Sequence, residues 1–581
     1  MSTRRSAFDV LMANSKKKSK TQTPPAQESS PKKRKSAEKD TPEHKYSSEN
    51  ANSNVKAIEN AGSVDGPRNG GDIEEVAAKK PKLISPDESV AELKKKAANF
   101  DPKKAAYWGD GERVPFMFVA KAFGAIEEES GRIAITDIVT NMLRTVIHTT
   151  PDDLLPAVYL SANKIAPAHE GLELGIGDAS IIKALAEACG AKEAHIKKQY
   201  KDLGDLGLVA KASRSSQSLM RKPEPLTVAK VFSTFRLIAK ESGKDSQEKK
   251  KNYIKSLLVA ATDCEPQYLI RLLQVRIPCF GAASYLLLSV IFLLPIDFSV
   301  QTKLRIGLAE QTLLVALSHA TVYSEKDSSP PASVNSSIEE AEKIVKQVYS
   351  VIPVYDKIVP ALLSGGVCNL QKTCSFSPGV PVGPMLAKAT KGVSEIVDKF
   401  QDKEFTCEYK YDGERAQSFF GISLHSAMSE KGYSKKLQIH YMENGSVEIY
   451  SRNAERNTGK FPDVVAAISR LKKPSTTSFV LDCELVAYDR EKQKILPFQI
   501  LSTRARKNVV VSDIKVNVCI YAFDILYLNG QPLIQEQLSV RREHLYSSFE
   551  EEPGYFQFAT STTSNDLEEI TQFLEAAVNG R

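Results

Sequence analysis

The stretch Cys407-Glu408-Tyr409-Lys410-Tyr411-Asp412-Gly413-Glu414-Arg415 sets one lysine before an Asp-Gly pair and an arginine, in the spacing K-x-D-G-x-R. Apolar and aromatic residues lead into it, so it reads as a strand ending in a tight turn. A lone lysine in this setting suits covalent attack on a phosphorus. Its amine is a nucleophile only when neutral, which calls for partial burial and nearby positive charge. Arg415 can clamp phosphate oxygens or a ribose, and Gly413 lets the backbone approach a nucleotide closely. The plain alternative is an exposed charged hairpin, because all four residue types are common in turns. Four fixed positions in a chain of 581 residues suggest this chemistry without deciding it.

Three further residues carry chemistry of the same kind. Glu484 sits in the apolar run Phe479–Tyr488, and a buried carboxylate must be paired or bind a cation. A salt bridge is the plain reading; a magnesium role beside phosphates is the functional one, since hard cations take carboxylate oxygens. Arg452 closes a predicted strand in Ser451-Arg452-Asn453, placed to project into the same cleft. Phe523, in Tyr521-Ala522-Phe523-Asp524, serves equally as core or as a stacking surface for a base.

The elements that must position these residues follow from the patterning. Alternation predicts strands over 405–411, 447–453, 479–488 and 518–528, with helices over 461–471 and 536–548. That is an α+β domain with mainly antiparallel sheet, spanning 381–581. The proline- and glycine-rich run 375–384 marks its boundary. Before it, 99–380 reads as all-helical, with apolar residues at three- and four-residue intervals in 115–129, 133–149, 179–189 and 338–351. Two of its loops have the makings of phosphate contacts. One, 165–178, holds Gly171 and Gly175 and runs into a helix whose expected cap is Asp178. The other, 204–210, leads to Ser213, Arg214 and Ser215. Hydroxyls, an arginine and glycine-exposed N–H groups at helix starts suit a sugar-phosphate backbone, and ordinary interhelical loops are the alternative.

Bulk properties narrow the class. The chain carries a net charge of +7, and its eight cysteines form no C-x-x-C pair. A mildly basic, intracellular protein without a zinc ribbon or disulfide framework is implied. Residues 1–98 are rich in Lys, Ser, Glu, Pro, Asn and Ala and nearly free of aromatics, which predicts a disordered tail. Basic clusters at 16–18, 31–35 and 79–82 read as nuclear import signals, against simple solubilising charge. The first twenty residues also fit a mitochondrial transit peptide. From Ile277 to Ile296 there is no charged residue. One marginal span between helical segments is a poor membrane design, so 275–301 is read instead as an in-frame retained intron. Residues 418–438 read as a second insert, a long basic hairpin loop.

With these residues together, the chain resembles the eukaryotic ATP-dependent DNA ligase family, in its ligase I branch, from about residue 100 onward. The resemblance rests on Glu408–Arg415, on Tyr450-Ser451-Arg452-Asn453-Ala454-Glu455-Arg456-Asn457-Thr458-Gly459-Lys460, on Asp482-Cys483-Glu484, and on the helical-domain segments 170–175 and 304–311. It implies ATP and Mg2+ as cofactors and nicked double-stranded DNA, held without sequence reading, as partner. By carry-over, Lys410 would take AMP from ATP and pass it to the 5′-phosphate of a nick, where the 3′-hydroxyl displaces it. Glu408 would contact the adenine, Arg415 the sugar or nick phosphate, and Arg452 the phosphates. Glu484 would bind magnesium and Phe523 stack on adenine, while Gly171, Gly175, Ser213–Ser215 and Arg305 would face the DNA. A monomer acting in the nucleus in replication, repair and recombination, with no membrane association, is the corresponding expectation. Capping enzymes share the lysine motif but lack the preceding helical domain, and NAD-dependent ligases carry a cysteine-rich finger. Against the family pattern, the chain stops before the E-G-φ-φ-K and K-x-K motifs and before the OB-fold domain. The expectation is therefore a truncated nucleotidyltransferase domain with no OB fold. The competing reading is a product that binds nicked DNA without sealing it.

Overall fold

The computed structural model describes residues 84–215, 224–274, 304–327, 334–383, 393–400, 403–411, 437–505 and 509–579. The proposed retained-intron segment lies outside them, as do Asp412, Gly413, Arg415 and the body of the 418–438 segment.

The helical part begins earlier than the sequence pattern suggests. Helix α1 (Pro86–Leu93) stands inside the stretch expected to be disordered. Its start is a capping box: Ser85 Oγ accepts from Glu88 N, and Glu88 accepts from Ser85 N at 2.7 Å. Pro86 fits the first helical position, where no N–H is needed. What holds so short a helix is distant: Leu93 is fully buried, Ser89 Oγ donates to Ala105 O, and Asn141 Nδ2 donates to Leu93 O. Those tertiary partners are invisible to local composition.

Helices α2 (Phe116–Glu127) and α3 (Arg132–Thr149) follow the predicted segments. Helix α3 buries Ile135, Ile138, Val139, Met142, Leu143 and Val146, the three- and four-residue stripe of a core helix. At about 1.5–3 kcal/mol per large apolar side chain, such a stripe outweighs helix propensity as the reason the segment is ordered. Next come α4 (Asp178–Cys189), α5 (Glu193–Leu203), α6 (Leu206–Ser215), α7 (Ser246–Ala260) and α8 (Glu265–Leu273). Then α9 (Glu310–Asp327) packs on α3, and α10 (Val334–Val351) packs on α9. The cap expected at Asp178 sits one residue earlier, at Gly177. Asp178 is instead the first helical residue, and its carboxylate accepts from Gln274 Nε2 at 3.0 Å.

The C-terminal part is a sheet with flanking helices. Strands β1 (Phe405–Glu408), β2 (Leu437–Tyr441), β3 (Val447–Ser451), β4 (Phe479–Asp489), β5 (Lys494–Ile495), β6 (Val518–Leu528), β7 (Gln531–Pro532), β8 (Phe556–Phe558) and β9 (Ser561–Ser564) make two sheets. The larger runs β3-β2-β4-β6-β7, with β5 on β4 and β8 on β6; β1 and β9 form a separate ribbon. All pairings are antiparallel except β6 with β8. Leu437 and Gln438, the last two residues of the segment expected as a hairpin loop over 418–438, instead belong to β2, opposite Ser451 and Tyr450. Helices α11 (Val393–Phe400), α12 (Pro462–Leu471), α13 (Leu538–Ser548) and α14 (Leu567–Asn579) flank the sheets, with a short further helix at Phe498–Ser502.

Strand β4 is buried on both faces. Its odd-numbered residues Phe479, Leu481, Cys483, Leu485 and Ala487 face the main apolar core with Ile439, Ile520 and Ala522. The even-numbered set turns the other way, where Val486 and Tyr488 pack with Cys519, Tyr521 and Tyr411. Period-2 alternation therefore assigns Asp482 and Glu484 to that second face. The sheet meets the helical part through the 376–382 linker: Gly379 N donates to His440 Nδ1 at 3.0 Å and Val382 N to Gln438 Oε1 at 2.9 Å.

Candidate active site and nucleic-acid interface

Lys410 lies two residues past the end of β1, and its two neighbours fix the backbone that carries it. Tyr409 N donates to Thr560 O at 3.0 Å, and the Tyr409 ring lies 4.7 Å from that of Phe573 on α14. Tyr411 stacks on Tyr521 at 4.1 Å, and its hydroxyl accepts from Thr560 N and donates to Thr560 Oγ1, each at 3.1 Å. A lysine between two seated aromatics has a set origin for its side chain. Lys410 itself is exposed, where the chemical argument expected partial burial. Residues 412–436, which follow the turn, lie outside the described residues.

Tyr521, the seat of Tyr411, is paired directly across the sheet with Glu484. Tyr411 thereby brings the chain beside the sheet face that carries Glu484, a buried carboxylate only 3 % exposed. Phe523 lies two residues beyond Tyr521 and is half-buried. The β4–β6 register slips between Asp482 and Cys483, a bulge that re-aims the side chains beside it. Arg452 follows β3 in a turn that Ser451 closes, its Oγ accepting from Asn453 N at 3.3 Å and Glu455 N at 3.2 Å. Ala454 holds the left-handed conformation this turn needs, at φ 61°. Glu448 secures the far side by accepting from Arg456 Nε at 2.6 Å and from Thr458 Oγ1 at 2.5 Å.

Glu408 points to a partner that composition did not reveal. Its carboxylate pairs with Arg542 of α13, and the neighbouring Arg541 holds Asp524. An arginine-rich helix reads as a solvated face in sequence, so nothing short of the tertiary fold singles out Arg542.

Magnesium fits the donor chemistry without a dedicated cage. Among the described residues no group of three or more His, Cys, Asp or Glu side chains is set to hold a metal. Such an ion commonly uses one or two carboxylates and completes its shell with water and substrate phosphates. Glu484, with Asp482 on the same face, meets that need.

In the helical part the glycine loop begins with a short helical turn at Ala168–Glu170. Gly171 and Gly175 both take positive φ, 63° and 58°, where a side chain would be strained. Lys250 of α7, itself buried, donates to Leu174 O at 2.8 Å and holds the loop from behind. His169 meets the ring of Tyr450 edge-on at 6.2 Å, bringing this loop beside the strand that leads to Arg452. Arg305, at φ 56°, is exposed and pairs with Asp205 at 3.4 Å. Ser213 and Arg214 depart from the expectation of a loop at a helix start. They occupy the last turn of α6, the end with negative partial charge. Arg214 is buried and donates to Val259 O at 2.7 Å and Ala261 O at 3.3 Å. Its guanidinium is therefore engaged within the protein. The side chain of Ser215 lies outside the described residues.

The DNA ligase N terminus family model matches residues 115–290. The ATP dependent DNA ligase domain model matches 384–433 and 430–581. DNA ligase 1 of Arabidopsis thaliana is 64% identical, over 84% of this chain and 56% of that protein. DNA ligase 2 of Korarchaeum cryptofilum is 31% identical, over 80% of this chain and 67% of that protein. The chain belongs to the ATP-dependent DNA ligase family. DNA ligase 1 of Dictyostelium discoideum is a further relative, 42% identical over 83% of this chain and 37% of that protein. The chain thus spans about half the length, or less, of these two eukaryotic ligases. Within the ligase frame, the N-terminal match falls on the helical part and the catalytic match on the sheet that carries Lys410.

Proposed function

We propose that the chain carries out ATP-dependent sealing of 5′-phosphate/3′-hydroxyl nicks in duplex DNA through a lysine-AMP intermediate. The observation that supports this reading is that Tyr409 and Tyr411, the neighbours of Lys410, are both seated, Tyr411 on the Tyr521 that pairs with Glu484. Lys410 Nζ, deprotonated, attacks the α-phosphorus of ATP; a P–N bond forms and the bond to pyrophosphate breaks. The AMP passes to the 5′-phosphate of the nick, and the 3′-hydroxyl then displaces AMP as the phosphodiester forms. Glu408 reads the base, Phe523 stacks on it, and Arg415 and Arg452 neutralise sugar-phosphate oxygens. Glu484 would hold magnesium, which would supply charge stabilisation to the phosphoryl transfer. The loop of Gly171 and Gly175, with Ser213 and Arg305, takes the duplex backbone, independent of sequence. Arg214 and the end of α6 shape that surface from inside. The workplace is nuclear DNA in replication, repair and recombination, in keeping with the basic clusters of the tail.

Incubation of the full chain with α-labelled ATP and magnesium tests this. A label on the protein that nicked duplex discharges into sealed product is expected, and Lys410→Ala should reduce it to background. A chain that binds nicked duplex but takes no label would favour the binding-only reading. A label that survives in Lys410→Ala would exclude Lys410 as the nucleophile.

A further inference from the structure

Helix α13 presents two successive arginines to different parts of the pocket. Successive helical side chains diverge by about 100°, so the pair cannot serve one acceptor. Arg541 takes the sheet side: its Nε and Nη2 donate to the two oxygens of Asp524, each at 2.8 Å. Asp524 follows Phe523 at the register slip of β4 against β6. Arg542 takes the ribbon side. Its Nη1 donates to Ser561 Oγ on β9 at 3.1 Å, and its Nη2 to Glu408 Oε1 at the end of β1. Arg542 is 9 % exposed, and its Nε is buried with no hydrogen-bond acceptor. A buried donor left without an acceptor is costly, so the two ribbon contacts, rather than full local satisfaction, hold this side chain.

We infer that Arg542 is a positioning residue that fixes the Glu408 carboxylate for base reading, with Arg541 holding the Phe523 side in register, so that the pair sets the preference for an adenine over a guanine nucleotide. This rests on the reading of Glu408 as the base contact. With Oε1 engaged by Arg542, Oε2 remains as an acceptor on the nucleotide side. Adenine offers an exocyclic amine, a donor, at the position where guanine offers a carbonyl, an acceptor. A carboxylate clamped by a guanidinium can meet the first and repels the second. A loose carboxylate can swing away from the carbonyl and discriminates less.

The test uses the full chain with Mg2+ and the α,β-methylene analogues of ATP and GTP, which bind without transferring AMP. Titration calorimetry gives the ratio of the two affinities for the wild type and for Arg542→Gln, Arg542→Lys and Glu408→Gln. We expect Arg542→Gln to lower the adenine preference about tenfold, the scale of one charge-assisted hydrogen bond. Arg542→Lys should restore part of it, and the Arg542→Gln melting temperature should stay near wild type. If Arg542→Gln does not fold, the lysine variant carries the test, because its single point charge lacks the two-pronged grip on Ser561 and Glu408. A folded Arg542→Gln or Arg542→Lys with the wild-type ratio overturns the inference even if Glu408→Gln loses discrimination. A Glu408→Gln chain that keeps the wild-type ratio overturns the base-contact reading instead. A wild type that binds both analogues equally, or neither, overturns both.

Discussion

His440 shows how one residue can tie the stability of the catalytic part to pH. Its ring is fully buried, with Nδ1 accepting from Gly379 N in the linker between the helical part and the sheet. Burial, with a smaller contribution from the nearby His169, pushes its pKa down to about 3 from the ordinary 6.5. The unfolded chain therefore takes up this proton more readily than the folded one. The stabilisation is complete above pH 6.5 and is lost as pH falls from 6.5 toward 3. Between pH 7 and pH 5 the loss should be about 2 kcal/mol. Urea denaturation at the two pH values measures it. His440→Gln, which keeps an acceptor without the titration, should flatten the dependence, and an unchanged slope in that variant would assign it to other groups.

At the scale of elements, α6 crosses α8 at close range through Gly207. A Cβ placed on Gly207 would lie 2.7 Å from Gln267 O and 3.0 Å from Arg271 Cγ. The first neighbour is backbone and cannot swing aside. Gly207→Ala should therefore push the helices apart and cost about 1–3 kcal/mol, read as a lowered melting temperature. A neutral result would mean that α8 yields at little expense. Elements with strong internal period were legible in the sequence: α3, β4 and β6 fall within a residue or two of their predicted bounds. The lysine strand was legible at its start but ends at Glu408 rather than at 411, and its partner β9 was not legible, because pairing across so much chain leaves no local mark. Helix α1 was missed because its apolar side is small and its support comes from Ala105 and Asn141. Ser213 and Arg214 were misjudged because the glycines at 204 and 207 suggested a loop, whereas Gly207 is there to let two helices approach. Arg542 was illegible for the same reason as β9: its meaning comes from Glu408 and Ser561, far away in sequence.

For the molecule as a whole, the proposed duplex grip makes a plain electrostatic prediction. Binding to nicked duplex should weaken steeply with salt, about a hundredfold between 50 and 200 mM if four phosphates are neutralised. Gel-shift titration at three salt concentrations gives the slope, and a flat line would mean that basic side chains do not carry the binding. The long reach of the β1–β9 ribbon has a separate consequence. Thr406 and Thr563 bond across the ribbon from positions 157 residues apart. A chain leaves the ribosome from its N-terminus, at about 5–20 residues per second. The lysine strand is therefore born on the order of ten seconds before the strand that seats it. Throughout that interval the nascent protein has its helical part but no assembled pocket, and it should remain chemically silent until β9 emerges to complete the ribbon.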